Sequence, residues 1–319
     1  MASTSESANT PPSRLRVAVV QFAPKIGCVE ENIAKALKIC AEIEPHSVDL
    51  LCLPEMIFAG YVFENAKSIS PFLELPRTGH TSQFCAELAG RLYCYVAAGY
   101  AELLGDDERR DEDTTLPDGT VARQVVANSA VVYGPDGQWV GEYRKTNLFS
   151  IDKTWAKPGN GFATFHLPAP LNTVTLGICN DLNTSEAETW TLEEGPYEVA
   201  DHCIATGSNL LIMLNAWLDS EEDADSDEDW RTLNYWAARL RPLWVGEDGD
   251  DVPSQGQRRG LAAATGKRVV AIMCNRGGDE NGKTFAGSSA VFDLRRRYGR
   301  PVLLQVMGRR QEGVEIWTV

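Results

Sequence analysis

Cys179 closes an apolar run, Val174–Ile178, and is followed by Asn180 and Asp181. A thiol at the exit of a buried strand is held rigidly, and the backbone N–H of the next residue, Asn180, can aim at the same place and stabilise an oxyanion. The competing reading is a packing cysteine, because free thiols are among the most buried groups. In Leu51-Cys52-Leu53-Pro54-Glu55-Met56 a carboxylate follows a short apolar strand and a proline. Proline cannot continue a ladder, so Glu55 falls at the strand's end. In Tyr143-Arg144-Lys145-Thr146-Asn147-Leu148-Phe149 the lysine follows a hairpin strand and precedes an apolar pair. Taken singly, Glu55 and Lys145 also fit ordinary surface charges. Taken together with Cys179 they make a chemical set. The carboxylate removes the thiol's proton, and the ammonium keeps that carboxylate ionised and stabilises an anionic tetrahedral intermediate. Such a set hydrolyses an amide with neither a metal nor a histidine.

The elements that must position these residues alternate along the chain. Leu15–Phe22, Leu50–Leu53, Tyr95–Leu103 and Val125–Tyr133 read as strands, and Gln138–Tyr143 pairs back as a hairpin across the turn Gly134-Pro135-Asp136-Gly137. Val29–Ile43 has apolar residues on one helical face, and Thr81–Leu92 has a Thr/Ser start. In the second half the spacing predicts strands at 174–178, 210–214, 269–274, 289–294, 301–306 and 314–319, with helices at 197–206, 230–240 and 257–265. No short repeat is visible. Crossovers mixed with hairpins predict an α/β fold of mixed sheets covered by helices. Residues 1–14 are small and polar and read as a disordered tail, leaving one continuous domain over 15–319.

The 319 residues carry a net charge of −15, which argues against nonspecific nucleic-acid binding. Residues 219–229 hold eight acids and no base, and read as an acidic solvated loop or as a gate attracting cationic substrates. No apolar run approaches the roughly 20 residues of a membrane helix. No secretory signal is visible at the start of the sequence. The eight cysteines have irregular spacing with no C-x-x-C, so reduced thiols and a cytoplasmic location are expected. With four scattered histidines, no metal site is expected.

The strings LPEM (53–56), YRKTNLF (143–149) and GICNDLN (177–183) resemble the three signature segments of the carbon–nitrogen hydrolase (nitrilase) superfamily. They occur in family order, and the resemblance runs from RVAVVQFAP (16–24) to about residue 294. It implies a four-layer α-β-β-α sandwich with no cofactor, in which Glu55 is the general base, Lys145 the oxyanion stabiliser and Cys179 the nucleophile. Many members add a second glutamate after the lysine. Here Lys153 occupies the place eight residues on, and the nearest acid is Asp152, an accessory candidate together with Asn180.

Within the superfamily, EMIFAGYVF (55–63), ISPFLE (69–74), DKTW (152–155) and NAWL (215–218) followed by the acidic insertion resemble the fungal protein N-terminal amidases. That branch implies protein or peptide partners with an N-terminal Asn or Gln, conversion of that residue to Asp or Glu with release of ammonia, and entry of the product into an N-degron pathway. A selective pocket needs acceptors for the substrate's α-amine. Asp181 and the acids after Trp217 are candidates, Asn215 precedes them, and Tyr61 and Trp217 either wall the pocket or are core aromatics. Two alternatives stay open: an amidase or carbamoylase for small molecules, and a silent binding protein that uses the acidic loop. The oligomeric state is not legible.

Overall fold

The computed structural model describes residues 14–116, 119–185, 188–223, 225–245 and 267–319. The expected tail lies outside the described residues up to residue 13, and the expected helix at 257–265 lies wholly outside them. In chain order the elements are β1 (Arg16–Gln21), α1 (Val29–Cys40), β2 (Leu50–Cys52), α2 (Ala66–Ile69), α3 (His80–Leu92), β3 (Tyr95–Leu103), β4 (Thr114–Thr115), β5 (Val121–Ala122), β6 (Val126–Tyr133) and β7 (Trp139–Arg144). The second half continues with β8 (Ala163–His166), β9 (Thr173–Ile178), α4 (Glu198–Thr206), β10 (Leu210–Asn215), α5 (Trp230–Arg239), β11 (Arg268–Asn275), β12 (Asp279–Glu280), β13 (Lys283–Thr284), β14 (Ala290–Arg295), β15 (Val302–Val306) and β16 (Gly313–Thr318).

Two six-stranded mixed sheets form, ordered β16-β1-β2-β3-β6-β7 and β15-β14-β11-β10-β9-β8. Strand side chains alternate between faces, and in the central strands both faces are buried, so those strands read as nearly continuous apolar runs. In β1, Val17 and Val19 enter the core between the sheets, while Ala18 and Val20 face the helices. In β10, Leu210, Ile212 and Leu214 enter that same central core, while Leu211 and Met213 face the opposite way. Residues of α1 and α3 cover the outer face of the first sheet, and residues of α4 and α5 that of the second. The result is the four-layer α-β-β-α sandwich. Each fully buried Leu, Ile or Val contributes about 1.5–3 kcal/mol relative to exposure.

Both sheets have the same plan. β1, β2 and β3 run parallel, and so do β9, β10 and β11. Each parallel trio is flanked by an antiparallel strand on one side and an antiparallel pair on the other. Ligands of such sheets gather at the carboxyl ends of parallel strands, and that is where Glu55 and Cys179 lie, after β2 and β9.

Local chemistry sets the element ends. α1 stops at Cys40, short of the expected Ile43, where Arg91 of α3 donates to the Cys40 and Ile43 carbonyls at 2.8 and 3.3 Å. α3 ends on Tyr93 in the left-handed region, φ 56°, and the chain reverses directly into β3. The acidic segment departs from a simple solvated loop. Its two ends are drawn inward around Arg309, which is 4% exposed and lies 3.4 Å from Asp219 and 3.6 Å from Asp229. Asp229 also caps α5 by accepting the Thr232 N–H and takes both donors of Ser220. The middle acids Glu221, Glu222, Asp223 and Asp225 stay exposed.

Within β3, Gly99 leaves room for the chain leaving β2 to turn at Glu55. A Cβ at Gly99 would stand 2.6 Å from the Glu55 Cα and 2.8 Å from the Met56 N. Gly99→Ala should therefore destabilise the fold by about 1–3 kcal/mol through overpacking. A urea unfolding midpoint equal to that of the wild type would refute this.

Candidate active site

Three strand ends deliver the sequence-predicted trio to one fully buried place. After β2, Pro54 ends the ladder and Met56 takes φ 50°, so Glu55 turns inward. Lys145 follows β7 directly, and its N–H is held by the Asn128 carbonyl at 2.8 Å. Cys179 follows β9 with φ 42°, a left-handed conformation rare for a side-chain-bearing residue, and opens a 3-10 turn over Cys179–Leu182. Its N–H donates to Asn215 Oδ1 at 3.1 Å.

Glu55 and Lys145 are both 0% exposed. Lys145 Nζ donates to Glu55 Oε1 at 2.7 Å and to Asp152 Oδ2 at 2.6 Å. Asn128 Nδ2 donates to Glu55 Oε1 at 2.7 Å and to Asp152 Oδ1 at 3.1 Å. Glu55 Oε2 accepts the Ala216 N–H at 2.7 Å, which links the first sheet to the chain leaving β10. Asp152 opens a 3-10 turn and also accepts the Phe149 N–H, so it reaches the ammonium although the sequence resemblance places the expected acid one residue on, where Lys153 stands.

Burial pushes the Glu55 carboxyl up, and Lys145 beside it works in the opposite direction. Burial works to lower the Lys145 ammonium's proton affinity, but Asp152 and Glu55 outweigh it and the net shift is upward. Burial raises the Cys179 thiol well above its ordinary value, and the Glu55 charge adds to this while Lys145 opposes it. The resting group is thus a neutral thiol next to a carboxylate of raised proton affinity, an arrangement suited to proton transfer at the moment of attack. Burial alone does not single out Cys179, because Cys40, Cys94 and Cys203 are each pushed up to about 12 by burial as well. The adjacent ammonium and carboxylate are what distinguish it.

The remaining candidates separate. Asp181, expected as an acceptor for the substrate's amine, has its acceptor sites already occupied. Its Oδ1 accepts from the Thr146 and Asn147 N–H groups, and its Oδ2 from the Tyr143 hydroxyl and the Ile178 N–H. Four donors fill the carboxylate. Burial raises its pKa to about 6, opposed by those hydrogen bonds. Asp181 instead ties the lysine loop to the cysteine turn. Asn147 reinforces the tie by donating to the carbonyls of Asn180, Asn183 and Thr184. The Asn180 side chain donates to the Asn147 carbonyl at 3.2 Å and accepts from Asn183. Asn215 accepts from Cys179 through Oδ1, and its buried Nδ2 has no partner. Tyr61 is 1% exposed, its ring lies 5.5 Å from Lys145 Nζ, and its hydroxyl stands beside Asp152 without a well-aligned hydrogen bond. Trp217 is half-buried against Tyr235 and Trp236, at 5.8 and 5.9 Å between ring centroids. Of the acids after Trp217, Asp219 faces Arg309 and Asp229 is consumed by capping. Among the described residues, no cluster of His, Cys, Asp or Glu could hold a metal.

Asn128 escaped the sequence reading. It lies inside β6, beside Ser129, where a polar residue looks like an outward-facing strand position. The signal that could have found it is the adjacent polar pair Asn128-Ser129 in VVANSAVVY, two polar residues together in an apolar run, which no alternation explains.

Two face-to-face mixed sheets, with a thiol, a carboxylate and an ammonium meeting where their strands end, define an enzyme of the amide-cleaving hydrolase class. The chain belongs to the carbon–nitrogen hydrolase family, whose profile matches residues 16–193. It is 29% identical over 318 residues to the protein N-terminal amidase of Schizosaccharomyces pombe, covering 95% of this chain and 98% of that one. To the protein N-terminal amidase of Saccharomyces cerevisiae it is 26% identical over 232 residues, 66% of this chain and 46% of that protein. A crystal structure of an N-terminal amidase with an Asn-Glu-Ala peptide shares the fold, with a TM-score of 0.74 at 18% identity over 96% of this chain and 97% of that one.

Replacing Asp181 by Asn would put amide hydrogens against N–H and O–H donors in a dry site. Asp181→Asn should destabilise by about 1–3 kcal/mol for the buried groups left unpaired. An unchanged guanidinium unfolding curve would count against the tie.

Proposed function

We propose that this protein removes the side-chain amide of an N-terminal Asn or Gln from proteins and peptides, giving Asp or Glu and ammonia. The observation that carries the reading is the end-to-end match to the fission-yeast protein N-terminal amidase, over 95% of this chain and 98% of that one. The buried Glu55–Lys145–Cys179 group supports it by supplying what amide hydrolysis needs.

In the proposed cycle Glu55 takes the Cys179 proton and the thiolate sulfur bonds to the amide carbon. The carbonyl oxygen becomes an oxyanion, faced by Lys145 and the Asn180 N–H. An ammonium carries three hydrogens, and those of Lys145 meet two acceptors among the described residues, so one remains for the oxyanion. Asp152 is the accessory that keeps the ammonium charged and fixed. The C–N bond breaks, and the leaving nitrogen receives the proton from Glu55 and departs as ammonia. Water then gives a proton to Glu55 and its hydroxide to the thioester carbon. The C–S bond then breaks, the acid is released, and Glu55 returns its proton to the thiolate. Donors aimed at developing charge in a dry site commonly contribute the largest share of such rate enhancements.

For the substrate pocket we assign Tyr61, Asn215 and Trp217. The first two carry buried hydrogen-bonding groups without a well-aligned partner, and such groups are costly unless a ligand completes them. The exposed acids of the 219–229 segment supply a negative rim for the cationic N-terminus. All eight cysteines are free, and no described helix is long and apolar enough to cross a membrane, both of which fit the cytoplasmic location we assign.

The test is mass spectrometry on peptides that differ only in residue one. Those beginning with Asn or Gln should gain about 1 Da and release ammonia through the thioester, whereas Asp-, Ser- and Nα-acetyl-Asn controls should not change. Turnover of small ω-amides alone would favour the small-molecule amidase, and no turnover of either would favour a binding role. Cys179→Ala should reduce product to the uncatalysed background with an unchanged thermal melt. Tyr61→Phe should raise KM several-fold by removing one substrate-facing hydroxyl. An unchanged KM would remove Tyr61 from the pocket.

A further inference from the structure

Four buried groups close a ring. Glu55 Oε1 accepts from both Lys145 Nζ and Asn128 Nδ2, at 2.7 Å each, and the two oxygens of Asp152 accept from the same two donors, at 2.6 and 3.1 Å. Carboxylates ionised beside an ammonium only accept, so the Asn128 amide must turn its NH2 toward them. That NH2 has two hydrogens and meets two acceptors. The cost is visible on the other side of the amide, where the buried Oδ1 has no partner. A residue kept only for packing would be apolar at this point of β6, as Val126, Ala127, Ala130 and Val131 are. The same residue's carbonyl holds the Lys145 N–H, so Asn128 touches the ammonium-bearing residue and both acids.

A carboxylate has four lone-pair sites. On Glu55, Oε1 uses both of its sites on Lys145 and Asn128, and Oε2 uses one on the Ala216 N–H. We infer that Asn128 is a positioning residue: by tying Glu55 to Asp152 through one amide it leaves a single place on Glu55, at Oε2, for exchanging a proton with the thiol and with water. This rests on the hydrolytic reading above. Without the amide, Oε1 regains a free lone pair and competes for the proton, and both acids lose a donor to their ionised forms.

The groups of charge or titration that face Glu55 are Lys145 and Asp152 from the first half, Cys179 from the end of β9, Tyr61 from the loop after β2, and Arg276 from the end of β11. Each remains in an Asn128→Leu variant, so a changed titration reports the missing amide. The donor favours the ionised carboxylate, so its loss raises the affinity for a proton and moves the acid limb of activity to higher pH.

The experiment compares wild type, Asn128→Leu and Asn128→Ser, the last retaining one hydroxyl donor. With an N-terminal Asn peptide, Asn128→Leu should lose roughly tenfold or more in kcat at neutral pH, the scale of one charge-assisted hydrogen bond, with KM unchanged. Its acid limb should rise by about one pH unit, and Asn128→Ser should fall between. In parallel, the infrared band of a buried protonated carboxyl, followed with pH in Cys179→Ala and in the same variant carrying Asn128→Leu or Asn128→Ser, should appear at higher pH when Asn128 is changed. That readout needs no substrate. If the wild type deamidates no peptide, the functional reading fails while the infrared titration still decides on Asn128. An unshifted infrared titration, or a kcat loss equal at every pH, overturns the inference.

Discussion

A lysine ammonium with no solvent-exposed surface is the constraint around which this molecule is arranged. Taking a charge out of water is costly, and breaking a buried pair by removing one partner typically costs about 3–5 kcal/mol. Lys145 therefore needs both Glu55 and Asp152, and those two acids, brought close together, need donors in turn. Asn128, the Ala216 N–H and the Phe149 N–H provide them. The proton affinities follow from the same arrangement. Burial lifts both the Glu55 carboxyl and the Cys179 thiol, because a negative charge on either is costly there, and the Lys145 ammonium opposes that lift on both.

The fold supplies these groups from opposite sheets. Glu55 and Lys145 follow strands of the first sheet, Cys179 and Ala216 strands of the second. Hydrogen bonds, and not packing alone, hold the two halves in register at the site. The Ala216 N–H meets Glu55, and the Thr146 and Asn147 N–H groups meet Asp181. A second tie lies behind the site. Glu280 accepts from the Tyr61 and Val62 N–H groups and from Arg276, whose guanidinium lies 3.9 Å over the Phe285 ring. Misplacing one strand end would pull on several of these bonds at once.

Glu55, Lys145 and Cys179 could be picked from the sequence because each follows its own apolar strand, and the local pattern of a strand stopping on a polar residue survives without tertiary knowledge. Asn128 could not, since a polar residue in mid-strand gains its meaning from what lies across the sheet. The surroundings of Asp181 were hidden for a related reason. A carboxylate two residues past a nucleophile invites a ligand, and only the four donors around it show that it is already filled. The acidic segment looked uniform in sequence, yet its acids divide between those folded onto Arg309 and the α5 N-terminus and those left in water. The shared plan of the two sheets left no trace as a repeat, because backbone topology can recur with unrelated side chains. The short strand β8 and the small β4–β5 and β12–β13 hairpins also went unforeseen, since two to four residues carry no readable period.

The pairing of β16 with β1 has a consequence for how the protein is made. Residues 313–318 lie against residues 16–21 along their whole length, so the first strand stays without one of its neighbours until residues 313–318 have left the ribosome. Contacts so distant in sequence form late and slowly. Glu55 and Lys145 emerge long before the sheet that carries them can close. On the reading proposed above, the nascent polypeptide holds Cys179 as an ordinary thiol until both sheets have closed, with β16 laid onto β1.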